Sequence, residues 1–150
     1  MPTGEVRPIV NLDPSLCGVC AVPPHEILVM SVAERAIFKH LHDLTETLID
    51  PFDAPINCAR VAEGIAKLLH PSASGRIELW SYMRESLNLS EGYLKEISTY
   101  STGPRHGEVA PQSMSKIADI RRRGWVIASR FFEFRKRGNQ TLPISDFPLL

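Results

Sequence analysis

Apolar residues recur along the chain at intervals of three and four, and nowhere do they alternate convincingly, so the pattern predicts helices and no strands. Ser31-Val32-Ala33-Glu34 matches a capping box and predicts a helix start. The stripe that follows, Ala33, Ala36, Ile37, His40, Leu41, Leu44 and Leu48, ends before Asp50-Pro51. A second helix follows Asp53 and runs through Cys58, Val61, Ala62, Ile65, Leu68 and Leu69 to His70-Pro71. The third begins near Ser74-Gly75, presents Ile77, Leu79, Trp80, Met83 and Leu87, and closes at Asn88. A fourth, capped by Ser90, carries Tyr93, Leu94, Ile97 and Tyr100 until Ser101-Thr102-Gly103-Pro104 breaks it. The last helix is the longest, from about Ser113 to Lys136. Its stripe of Ile117, Ile120, Ile127, Phe131 and Phe134 has Gly124 at the one small position and is widened by Trp125 and Phe132.

These elements predict an all-α fold, a bundle of four to five helices over residues 25–138. Residues 1–24 hold five of the twelve prolines and no helical period, which predicts an irregular arm. Residues 139–150 form a short tail whose Ile144, Phe147, Leu149 and Leu150 either lie back on the bundle or meet a second copy.

Composition narrows the class without naming a reaction. A chain of 150 residues with 43% apolar residues, and with 17 Lys and Arg against 17 Asp and Glu, reads as one folded domain. No apolar run approaches the ~18 residues of a membrane span, and Met1 to Val10 lacks the apolar stretch of a secretory signal, so a cytoplasmic, membrane-free protein is expected. Three cysteines argue against a disulfide framework. Cys17 and Cys20 form an isolated C-x-x-C pair without a second pair at zinc-site spacing, so the reading is incidental thiols, with no metal and no cofactor. Cys58 and His40 fall on apolar stripes: the first reads as a small core residue, the second as a core histidine with one satisfied ring nitrogen.

Charge is concentrated at one place. Between Lys116 and Arg137 stand eight cations and two acids, a local balance of +6 in a chain of net charge zero. Arg121, Arg122, Arg123, Arg130 and Arg137 are the candidate contacts to RNA or another polyanion. Three of them, Arg123, Arg130 and Arg137, recur every seven residues and so line one edge of the helix. The competing reading is internal pairing, because Asp119 precedes Arg123 by four and Glu133 precedes Arg137 by four. The candidate catalytic pair is Arg105-His106 in the turn Gly103 to Gly107. A fixed cation beside an imidazole of ordinary pKa about 6.5 suits phosphodiester chemistry, with His moving a proton and Arg steadying phosphate charge.

Trp80-x-x-Met83 with Leu87, Tyr93-Leu94, the turn Gly103-Pro104-Arg105-His106-Gly107 and a long final helix with Trp125 and Phe131-Phe132 resemble the later half of HEPN-type helical domains of prokaryotic toxins and defence proteins. The resemblance covers about residues 55–137. It implies a helical bundle, homodimerisation and, in active members, a metal-independent RNase site built from an Arg and a His four to six residues apart near the start of the last helix. Here Arg105 and His106 are adjacent. The only Arg-x4-His, Arg35 to His40, lies on the first helix with its side chains about 140° apart. The resemblance therefore implies a module that binds RNA with little or no cleavage. The alternative reading is a protein-interaction or structural homodimer.

Overall fold

A computed structural model of the chain describes residues 22–107 and 112–150. The fold is all-α. Among the described residues six helices follow one another as α1 (Pro24–Ala33), α2 (Arg35–Ile49), α3 (Ala54–Leu69), α4 (Arg76–Leu87), α5 (Glu91–Arg105) and α6 (Met114–Lys136), with a 3-10 turn Pro51–Asp53 between α2 and α3. Cys17 and Cys20 lie outside the described residues, as does nearly all of the arm expected over residues 1–24.

The sixth helix arises at the N-terminal end. Pro24 stands in the first turn of α1, where its fixed φ helps and its missing N–H costs nothing. With a turn already begun, the Ser31 hydroxyl donates to the Ile27 carbonyl 2.7 Å away instead of capping a new helix. The expected start at Ser31 is thus corrected: Ser31 lies in the last turn of α1, and the helix that carries most of the expected stripe starts at Arg35. The backbone is extended at Glu34, where the chain turns into α2.

Helix α3 is the hub, packing against α2, α4, α5 and α6, and small residues let two of those neighbours close in. A Cβ on Gly124 of α6 would stand 2.6 Å from the Cys58 sulfur, and one on Gly64 of α3 would stand 1.9 Å from the His40 ring. Cys58 is fully buried, and burial pushes its thiol up to about 12, which keeps it a neutral apolar group. Ile65, Met83, Leu87, Ile97, Ile120, Ile127 and Phe131 complete the centre.

Ends of helices follow the expected chemistry. Ser90 accepts from the Tyr93 amide at 3.1 Å, and Ser113 from that of Lys116 at 3.3 Å. Asn88 closes α4 in the left-handed region at φ 51. Pro104 does not stop α5, which runs on to Arg105. The Tyr100 carbonyl, which loses its helical donor to Pro104, accepts from Gln112 Nε2 at 3.2 Å instead.

The tail belongs to the bundle. Leu142 and Phe147 are buried, and Asn88 Nδ2 donates to both of their carbonyls, at 2.7 and 3.0 Å. The Leu142 amide bonds the Ser86 carbonyl, while Leu150 exchanges bonds with Asn88 and Ser90. Of the two fates expected for residues 139–150, this is the first.

Candidate functional site

The basic helix α6 is committed to its own fold. Arg130 is fully buried; its Nη1 donates to the carbonyls of Leu87 and Asn88, each at 2.8 Å, and its Nη2 to that of Pro148 at 2.8 Å. Leu87 and Asn88 close α4, so the guanidinium satisfies helix-end carbonyls and meets the negative end of that dipole. Arg130 is therefore corrected from a surface contact to an internal cap that ties α4 to the tail.

Its neighbours in the seven-residue row behave likewise. Arg123 donates to Asp119 at 2.8 Å and to the Tyr93 carbonyl at 3.2 Å, with its guanidinium over the Tyr93 ring. Arg137 bonds Glu133 at 3.2 Å and Asp146 at 3.4 Å and lies over the Phe147 ring. The row does line one edge of α6, as the spacing predicts, but that edge faces α5 and the tail. Arg122 shares Asp119 with Arg123, at 2.7 Å. Burial alone would raise the Asp119 carboxyl, yet hydrogen bonds from Arg123 and Arg122 hold it below the usual carboxylate range. Arg135 pairs with Glu34 and Lys136 with Glu26, which ties the C-terminal end of α6 to α1 and its C-cap, while Lys116 at the other end pairs with Glu96 of α5. Arg121 has no acid partner among the described residues.

Arg105 and His106 end α5. Both are exposed, and Arg105 forms an ion pair with Glu63 of α3 at 3.0 Å. His106 is the C-cap residue, its amide bonded to the Gly103 carbonyl. Adjacent positions on a helix point about 100° apart, so the two side chains do not converge on one atom of a substrate. His40 is mostly buried against Gly64, its Nδ1 3.9 Å from Asp43 Oδ2. Burial lowers its pKa, and Nδ1 has no hydrogen-bond partner, which corrects the expected satisfied nitrogen.

The feature that sequence reasoning missed is a groove of about 470 Å³ between α4 and α5. Ile77, Trp80 and Leu94 form its apolar wall; Arg76, Arg84 and Lys95 bring charge. Ile77 is 88% exposed, and the Arg76 guanidinium lies 5.9 Å from the centre of the Trp80 ring. A second hollow of about 320 Å³ against α3 shares Arg76 and Trp80 as a wall. The N-terminal end of α4 is held firm by Glu78, which accepts from the Ser74 hydroxyl and amide and contacts His70. Those bonds hold its carboxyl down at about 2. Periodicity put Ile77 and Trp80 on a stripe, and α4 turns only Met83, Ser86 and Leu87 fully inward. No group of three or more potential metal ligands occurs among the described residues. None of their helices is long and apolar enough to cross a membrane.

Residues 25–136, from α1 to the end of α6, match the family described as the domain of unknown function DUF8168, C-terminal domain. The chain belongs to this family. No curated protein and no solved structure matches it. The Trp80 groove and, of the arginine row, Arg123 and Arg130 lie inside the matched span, whereas Arg137 and the tail that Arg130 holds lie beyond it.

Proposed function

We propose that this DUF8168 C-terminal domain is a non-catalytic binding module for an anionic partner, RNA first among them, engaged at the Trp80 groove rather than along α6. The observation that carries the reading is the division of the cations. Of the eight cations between Lys116 and Arg137, six have acid partners and Arg130 is buried on carbonyls, which leaves Arg121 alone without an acid partner among the described residues. Arg76 and Lys95 have no acid partner among the described residues, and they line the groove with Trp80. A cation without a local counter-charge keeps its attraction for an incoming phosphate. The reading retains the binding implied by the HEPN resemblance and omits cleavage, because Arg105 is engaged with Glu63 and His106 stands beside it on a helix end.

The test is the affinity for fluorescent RNA and for heparin as salt rises from ~50 to ~200 mM, where attraction to phosphates weakens steeply. Arg76→Glu with Lys95→Glu should lower the salt slope by about 0.7 for each phosphate that is no longer neutralised, whereas Arg122→Glu with Lys136→Glu, at two cations already paired with acids, should leave it unchanged. No binding of either polyanion at ~50 mM salt, or RNA cleavage that His106→Ala abolishes, overturns the reading.

A second reading, a homodimer, is favoured by the exposed Leu28, Val29 and Val32 of α1 and Phe38 and Ile49 of α2. Phe38 and Ile49 are eleven residues apart and so share one face of α2, about 20° apart. In the tail Leu142 and Phe147 are buried in the chain's own bundle and Ile144 and Leu149 stay exposed, so the face on α1 and α2 is the larger apolar surface open to a second copy. Sedimentation at micromolar concentration should show a dimer that Phe38→Ser dissolves; a wild-type monomer removes the reading.

A further inference from the structure

We infer that the anionic partner is single-stranded nucleic acid, held with an unpaired base against Trp80 and its phosphates on Arg76, Lys95 and Lys67. This rests on the Trp80 groove being the binding face, and three observations take it further.

The first is charge. Four cations line the two hollows, Lys67, Arg76, Arg84 and Lys95, against two acids, Glu63 and Glu91. Each acid is already engaged by an arginine: Glu91 by Arg84 at 2.9 Å and Glu63 by Arg105 at 3.0 Å. No carboxylate of the lining is left uncompensated to repel a phosphate, while Lys67, Arg76 and Lys95 remain without acid partners among the described residues.

The second is shape and lining. Volumes of about 470 and 320 Å³ fall within the lower half of the size range of small-ligand clefts, room for a nucleotide each. They share Trp80, so neighbouring nucleotides of one strand would lie on the two sides of a single indole. Ile77, Leu94 and Leu79 supply the apolar rest of the walls, which suits the flat face of a base and offers nothing to a bare phosphate chain.

The third is the ring itself. Trp80 is only half-buried, and Arg76 lies over its face, which is the way arginine and an aromatic together bracket a stacked base. A duplex keeps its base faces covered by their neighbours and would meet the groove with phosphates alone. An acidic peptide meets the cations but lacks the planar ring.

Four probes separate these cases on the full chain: a short oligoadenylate, the same oligomer made abasic, a matched RNA duplex, and inorganic polyphosphate. Polyglutamate serves as competitor. The oligoadenylate should bind between about 5-fold and about 150-fold tighter than its abasic form, the span that stacking on one aromatic contributes. In a Trp125→Phe chain, where Trp80 is the one indole left, its fluorescence should be quenched by the oligomer and not by polyphosphate. Trp80→Ala should bring the oligomer down to the abasic level with polyphosphate affinity and helicity retained, and Trp80→Phe should restore most of the difference.

Equal affinity for oligomer, abasic oligomer and polyphosphate, all abolished in Arg76→Glu, would overturn the inference and leave the groove as a plain polyanion site. Tightest binding to the duplex, or displacement of the oligomer by polyglutamate at equal charge, would also overturn it. Failure of every probe to bind at ~50 mM salt would remove the proposed function along with it.

Discussion

Helix α6 and the α4 side of the molecule hold the same kind of residue to opposite ends. On α6 arginines are dense, yet the heads of all but Arg121 are taken by Asp119, Glu34, Glu133, Asp146 and the carbonyls that close α4. Around Trp80 cations are sparse, and two of them face the groove without a counter-charge among the described residues. The density of charge along a sequence therefore measures how much pairing a segment needs as readily as how much it can offer. What an approaching anion meets is decided by the acids and carbonyls that folding brings up beside each cation.

The sharpest way to break this contrast is Arg130→Ala. It removes a buried cation and leaves carbonyls of Leu87 and Pro148 without that donor, so urea denaturation should show a loss of about 3–5 kcal/mol. A stable Arg130→Ala chain that had lost RNA binding would return the function to α6. Next comes Gly124→Ala, whose new methyl would press on Cys58, fixed between α3 and α6. Overpacking of this kind costs about 1–3 kcal/mol and should lower Tm with oligonucleotide affinity unchanged, since the strain is remote from Trp80.

Acid probes the groove side through Glu78. Glu78 has a depressed pKa, so its contribution is complete above the ordinary carboxylate value near 4.5 and is lost as pH falls toward about 2. Glu78→Gln should flatten the stability profile across that window and raise amide exchange at the start of α4. The smallest effect sharpens the comparison most. Arg76→Glu with Lys95→Glu should shift unfolding by less than about 0.5 kcal/mol, as at any exposed site without a partner, while abolishing the binding that the groove supports.

Much of the architecture was legible because it rests on local chemistry. Ser90 and Ser113 cap, Asn88 stops α4, Gly124 lets a neighbour in, and Asp119 and Glu133 reach Arg123 and Arg137 one turn away. What was not legible depends on residues distant in sequence. The capping box at Ser31 was a decoy because Ser31 falls in the last turn of a helix begun at Pro24, and the striped helix starts afresh at Arg35. Pro104 was expected to break α5, but Gln112 relieves the carbonyl that proline strands. Arg130 looked like its neighbours until the end of α4 and the tail closed over it, and Ile77 and Trp80 looked like core, yet Ile77 is left exposed and Trp80 only half covered. A period tells which residues share a face; it does not tell whether another helix arrives.

Asn88 reaches 54 and 59 positions along the chain for its bonds to Leu142 and Phe147. Contacts so far apart carry a loop-closure cost and form late. Until residues 141–150 arrive, Arg130 and the end of α4 are a buried cation and open carbonyls waiting for a lid. A chain clipped or terminated before Leu142 would keep most of its helices but hold them loosely, presenting apolar surface to the proteases that sort folded from unfolded. The tail thus acts as a clasp: the bonds that hold Phe147 and Pro148 also fix the end of α4 and the Arg130 guanidinium in place.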